Sequence, residues 1–440
     1  LPIVRPLTKY CEIVKNPNEI RYILEKAYYY ALEGRPGPVW LDVPLNVQQK
    51  EINFKKLKKF KPEVNKRKIK NKKTVKQIQK IISLLQKFKK PLIVAGNGVK
   101  QSGKTKLLYK IIKLLKIPVI MSRFAQDIYS HDKEYVMGQA GIKGTRYCKK
   151  IMSSSDLVIS LGCRLAPQFV GHDFEVFKNS YLISVDIEKD ELTKKGCKIN
   201  LPINEDLKFF LPIFYKFLKK TKLNNFNKWS AECKNLKMSN PMINNSYKRN
   251  PIDLYYFMNK IGEVSNKKNI LVTDAGSNYY IGGQVWKFKK GQKELTSGSN
   301  AAMGLTIPLS IGAAVSSPNY QILAVTGDGS LELNIQELKT ISQYKLNIKL
   351  FVINNGGYVS MHNWQDTFFE GRRVDTSKDT GEGTLNLRNI AEAFELDYYK
   401  IDNYKSIGKD LKKIMQNDKP LFVEVLTDNK QKIYDSFKDY

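Results

Sequence analysis

The chain has 440 residues, 42% of them hydrophobic, enough to bury the cores of about two to three domains. Its net charge of +32 invites nucleic acid as a partner, but the lysines are scattered over helix surfaces (Lys55-Lys56, Lys72-Lys73, Lys219-Lys220) with no nucleic-acid-binding motif, so a solvated basic surface is expected. No apolar run reaches the roughly eighteen residues of a membrane span, and the five cysteines are far apart with no Cys-x-x-Cys pair, which leaves no zinc or dithiol motif and points to a reducing, cytoplasmic setting.

In chain order, residues 17–33 carry a helical pattern, followed by a buried strand at 38–43 that stops at Pro44. The charged stretch 50–73 reads as a linker. Residues 74–220 alternate strands and helices, with strands predicted at 91–95, 117–121, 157–161 and 181–185. The polar stretch from Lys234 to Pro251, carrying Asn and Pro, reads as a second linker. Residues 252–440 form another α/β unit. The expected organisation is therefore 1–48, 74–220 and 252–440, an α/β protein of parallel sheets with flanking helices.

Two segments could bind phosphate. Gly98-Val99-Lys100-Gln101-Ser102-Gly103-Lys104-Thr105 fits the phosphate-loop pattern between a strand and an amphipathic helix. Leu182-Ile183-Ser184-Val185-Asp186 could then pose as its magnesium-binding strand. A nucleotide hydrolase is the rival reading that follows.

The second segment is Gly327-Asp328-Gly329-Ser330, followed one helix later by Asn354-Asn355. An apolar strand, Gln321 to Thr326, precedes Asp328, and apolar residues at 331, 335, 338 and 341 follow it at helical spacing. A second apolar strand, Lys349 to Ile353, then leads to Asn354. This β-α-β unit should make its two strands parallel neighbours, with Asp328 and Asn355 together at their carboxyl ends, where open α/β sheets bind ligands. Magnesium prefers hard oxygens, few of them from protein. Asp328 offers a carboxylate, Asn355 an amide oxygen and Gly357 a carbonyl, while Gly329 and Ser330 open a helix suited to diphosphate.

This pair of signatures resembles that of thiamine-diphosphate-dependent enzymes, and the chain as a whole resembles their acetolactate synthase branch. Pro6 through Pro44 looks like the end of that family's pyrimidine-binding domain. Pro91 to Val99 looks like the first strand of its central domain, and residues 296–314 and 327–358 look like its diphosphate-binding domain. Leu1 is not a plausible native start, so the chain reads as a fragment. The glutamate that activates the pyrimidine ring in the family would lie before it.

The resemblance implies roles for individual residues. Met303, in Asn300-Ala301-Ala302-Met303-Gly304, matches the bulky wedge that bends the cofactor, and the Ala301 carbonyl matches the acceptor for the pyrimidine amino group. Gly276, Ser277 and Asn278 match a second diphosphate loop, where the branch usually has Gln-His after the glycine. Gly327, Asp328, Gly329, Ser330, Asn355, Gly357 and Tyr358 complete the cofactor site, with Asp328, Asn355 and Gly357 on magnesium. Trp364 and Gln365 match a segment whose tryptophan lines the pocket for a second keto acid. His362 is expected to be a surface or structural residue.

The implied activity is decarboxylation of a 2-keto acid such as pyruvate, with ligation of the two-carbon unit to a second carbonyl, in a homodimer or homotetramer. Gly162-Cys163-Arg164-Leu165 continues without the charges that contact flavin in this branch, which counts against FAD. That departure keeps open a decarboxylase or carboligase of another pathway, such as sugar or surface-polysaccharide synthesis. A non-catalytic binding protein is a further alternative, since fold does not fix function.

Overall fold

A computed structural model describes residues 1–62, 72–172, 174–381 and 383–438. The first segment pairs two parallel strands, β1 (Tyr10–Ile13) and β2 (Val39–Asp42), around the helix Ile20–Leu32. A 3-10 turn, Pro17–Glu19, precedes that helix, and the Asn16 side chain caps its start.

Two six-stranded parallel sheets follow. The first contains β3 (Pro91–Ala95), β4 (Val119–Met121), β5 (Val136–Gln139), β6 (Leu157–Leu161), β7 (Tyr181–Asp186) and β8 (Leu201–Asn204), in the order β5-β4-β3-β6-β7-β8. The second contains β9 (Asn269–Thr273), β10 (Lys293–Thr296), β11 (Gln321–Gly327), β12 (Ile348–Asn354), β13 (Tyr398–Ile401) and β14 (Leu421–Leu426), in the order β10-β9-β11-β12-β14-β13. The central strands are buried along their length, because helices cover both faces of each sheet. Four of the five apolar clusters among the described residues are the two faces of these two sheets, and the fifth, with Val14, Ile23 and Val47, lies in the first segment.

The order of the second sheet positions the site. From β9 the chain moves outward to β10, then crosses back to place β11 on the other side of β9. The loops after β9 and β11 therefore part at a topological switch point, which opens a crevice at their carboxyl ends. Beyond it, β11 and β12 pair in register from Ile322↔Ile348 to Gly327↔Ile353, which aligns the residues that follow each strand.

Several expectations change. The helix after Ser330 is not continuous: Asp328–Glu332, a 3-10 turn at Ile335–Glu337 and Leu338–Gln343 succeed one another. The break falls at Asn334, whose amide bonds outside the helix, while Leu331, Leu338 and Ile341 still face the core. The stretch from Lys234 is not all linker. It finishes the helix Asn227–Ser239, whose Trp229 donates to the Pro91 carbonyl at the start of β3. Of the 50–73 stretch, residues 63–71 lie outside the described residues. Before them Phe60 packs on Tyr22 and Tyr29 of the first helix. Among the described residues no helix is long and apolar enough to cross a membrane.

Lys349 sits fully buried inside β12. Its ammonium donates to Asn347 Oδ1 at 2.9 Å and to the Lys419 carbonyl. Burial pushes its pKa down to about 8 from 10.5. Between those values the unfolded chain holds the proton and the folded chain has released it, so this group makes stability rise with pH across that window. Lys349→Met is expected to raise the melting temperature at neutral pH and to remove that rise. Melting curves from pH 7 to 10.5 check it, and an unchanged pH profile in the variant would contradict it.

Candidate active site

Asp328 is the first residue after β11 and is nearly buried, at 6% exposure. A buried carboxylate is costly unless its lone pairs are met. Here Oδ1 accepts the Gly329 N–H at 3.0 Å, and Oδ2 accepts three consecutive N–H groups, from Asn355 (3.2 Å), Gly356 (3.0 Å) and Gly357 (3.2 Å). The turn after β12 is wrapped around the acid that ends β11. Burial is the larger influence on Asp328 and raises its pKa, while the four N–H groups pull it back. Gly356 has φ +74°, a conformation that favours glycine.

The two asparagines of the turn divide the work. Asn354 donates its amide to Glu424 Oε1 at 2.6 Å and so ties the end of β12 to β14. Asn355 has a buried Oδ1 with no hydrogen-bond partner among the described residues. Buried polar atoms are nearly always satisfied, so an orphaned acceptor beside a carboxylate calls for a cation. The Gly357 carbonyl accepts Val359 N–H at 3.0 Å and keeps a second lone pair. Carboxylate, amide oxygen and carbonyl are hard donors, so the residues present fit magnesium.

Across the switch point, Gly276 (φ +73°) opens the helix Gly276–Val285, with Ser277 and Asn278 buried in its first turn. The amide of Asn278 is committed to the Val325 carbonyl at 2.7 Å. The Ser330 hydroxyl is likewise engaged: it donates to Asp274 Oδ2 at 2.6 Å and accepts Gly304 N–H at 2.8 Å. Two of the three expected diphosphate side chains are thus engaged with the protein, Asn278 with β11 and Ser330 with the loops around Asp274 and Gly304. Sequence reasoning passed over Asp274 because its partner lies 56 residues away. Ala301 has left-handed backbone (φ +47°), and Met303 is 37% exposed.

These residues line one cleft of about 2760 Å³. Gly276 to Asn278, Ala301, Met303, Gly327 to Ser330, Asn355, Gly357, Tyr358 and Trp364 all face it. Trp364 is 55% exposed and packs on Phe368, with ring centroids 4.3 Å apart. Gln365 does not line the cleft. Its side chain points to the following loop, donating to the Val374 carbonyl and accepting from Thr376. The expected pocket role for Gln365 is corrected accordingly: adjacent helix residues face different directions. His362 is buried, with Nε2 lacking a partner among the described residues.

The first parallel sheet supplies the opposite wall through Gly98, Gln139, Gly162 and Arg164. Arg164 is paired with Glu191 at 2.8 Å. The phosphate-loop reading fails on geometry here. Residues Asn97–Gln101 form a helical turn directly after β3 rather than an open loop. The first glycine of the pattern serves close contact instead, since a Cβ on Gly98 would lie 2.8 Å from Gly162 Cα.

Comparison with known proteins agrees with this geometry. Residues 78–213 match the family described as thiamine pyrophosphate enzyme, central domain, and residues 274–425 match its C-terminal TPP binding domain. The acetolactate synthase large subunit of Lactococcus lactis subsp. lactis is 31% identical over 434 residues, covering 96% of this chain and 72% of its own length. The chain belongs to the acetolactate synthase branch of the thiamine pyrophosphate enzymes. The acetolactate synthase large subunit of Porphyra purpurea is 28% identical (98% of this chain, 73% of its own). The probable acetolactate synthase large subunit of Methanococcus aeolicus is 29% identical (97% and 73%).

Gln365→Ala is expected to destabilise the protein by about 1 kcal/mol through loss of its two bonds to residues 374–376. Affinity for thiamine diphosphate should stay unchanged. Calorimetric melting and cofactor titration of the variant check both, and weakened cofactor binding with unaltered melting would return Gln365 to the pocket.

Proposed function

We propose that this chain is the catalytic part of a thiamine-diphosphate-dependent carboligase of the acetolactate synthase type. It decarboxylates a 2-keto acid such as pyruvate and joins the two-carbon unit to a second keto acid, giving an acetohydroxy acid on the route to branched-chain amino acids. The observation that carries this reading is the orphaned Asn355 Oδ1 beside the Asp328 carboxylate, at the ends of two adjacent parallel strands.

Asp328, Asn355 and the Gly357 carbonyl would hold magnesium. Gly276, Ser277 and the turn Gly327-Asp328-Gly329 would carry the diphosphate, and Tyr358 would close that end. Thiamine diphosphate, when bound, supplies the nucleophilic carbon and the electron sink that the reaction needs. The Ala301 carbonyl would accept the pyrimidine amino group, and the Met303 side chain would press the cofactor into its bent form, a contact that a flexible thioether suits. Trp364, exposed to the cleft, would shape the acceptor pocket.

The proposal includes a homodimer or homotetramer. Met361, Trp364, Phe368, Phe369 and Val374 are all exposed at or near the cleft rim, a cluster of apolar area that a second subunit would cover.

Incubation of the full-length protein with pyruvate, magnesium and thiamine diphosphate, with products identified by mass spectrometry, tests the reaction. Acetolactate with carbon dioxide is expected. Magnesium-dependent cofactor binding without acetolactate would move the assignment to a carboligase with another acceptor, such as a sugar. Asp328→Asn should weaken magnesium-dependent cofactor binding by roughly 100-fold, and full affinity in that variant would sink the metal assignment.

A further inference from the structure

Gly304, the residue after Met303, is gripped on both of its peptide groups. Its N–H donates to the Ser330 hydroxyl at 2.8 Å, and its carbonyl accepts the Asn334 amide at 2.9 Å. Ser330 belongs to the short helix that Asp328 begins, and Asn334 lies at the break just beyond it. Gly304 has φ +78°, and a Cβ there would lie 2.7 Å from Leu333 Cβ, so the Gly304 backbone packs against the Leu333 and Asn334 side chains with no room for a side chain of its own.

The Ser330 hydroxyl has one proton to give. It goes to Asp274 Oδ2 at 2.6 Å. Asp274 is wholly buried, and its other oxygen accepts the Ala275 N–H at 2.7 Å. The hydroxyl is thus used as donor and as acceptor, and cannot also donate to a phosphate oxygen without breaking its bond to Asp274. A chain of contacts runs from the loop after β9, through Ser330, to the turn that carries Met303.

We propose that Asp274, Ser330 and Asn334 are positioning residues that clamp the Met303 turn to the metal-binding helix at a fixed height, and that the Ser330 side chain is not a diphosphate ligand. The inference rests on the reading of Met303 as the residue that bends the cofactor. It deepens that reading by coupling two parts of the site: the helix that begins with the metal carboxylate also sets where the wedge stands. Loss of the clamp leaves the diphosphate end intact and loosens the hold on the thiamine end.

The test separates the two ends by titrating the protein calorimetrically with magnesium pyrophosphate and with magnesium thiamine diphosphate. Ser330→Ala is expected to bind pyrophosphate within about twofold of the parent but thiamine diphosphate about tenfold more weakly, and Ser330→Thr, which keeps the hydroxyl, to restore the difference. Asn334→Ala, at a half-buried position, should give the same split and guards against a folding defect at Ser330. Equal weakening for both ligands would make the hydroxyl a diphosphate ligand and overturn the inference. So would unchanged affinity for both. A parent protein that binds neither ligand would overturn the reading of the site itself, and the inference with it, before any variant is compared.

Discussion

The candidate site depends on how one buried carboxylate is satisfied. Asp328 follows β11 almost wholly buried, and three consecutive N–H groups from the turn after β12 close around it. That closure requires two parallel strands in register, a glycine at left-handed φ and an asparagine whose own carbonyl is left over. In the proposed reading the remaining oxygens would hold magnesium, and backbone dipoles and metal together would compensate the charge of the acid.

Around this centre the protein spends its polar side chains on joining loops rather than on facing solvent. Asp274, Ser330, Asn278 and Asn334 each bridge segments that are distant in sequence. The opposite wall is tied on by a buried ion pair, Arg123 with Glu294, reinforced by Gln126 and by Arg123 lying over the Tyr279 ring. Such a pair contributes little net stability after desolvation, but breaking it is costly, so it fixes geometry. The segment before the C-terminus adds a second tie, with Ser436 bonded to Ile142 and Gly141 and Asp435 to Lys143. Both ties fix one wall of the cleft against the other.

Much of this was legible in the residues. Apolar runs bounded by Gly or Pro marked β3 and β6 to the residue, and the spacing of Asp328 and Asn355 implied adjacent strand ends. The short strands β5, β8, β10 and β13 carried too few residues for a periodic signal, and β14 has Glu424 in its middle. The broken helix after Asp328 was hidden because its apolar positions keep helical spacing across the break. At the site, residue type suggested that Ser330 and Asn278 face the diphosphate. Their actual partners, Asp274 and the Val325 carbonyl, are long-range contacts that no local pattern encodes. Trp364 and Gln365 looked equivalent as neighbours in a motif, and only the helix geometry separates the one that faces the cleft from the one that braces a loop.

The most direct test is anomalous diffraction from crystals grown with manganese and thiamine diphosphate. The account predicts a metal peak within coordination distance of Asp328, Asn355 Oδ1 and the Gly357 carbonyl, with the diphosphate oxygens completing its shell. A diphosphate bound in the cleft with no metal between it and Asp328, or a metal held elsewhere, would contradict it.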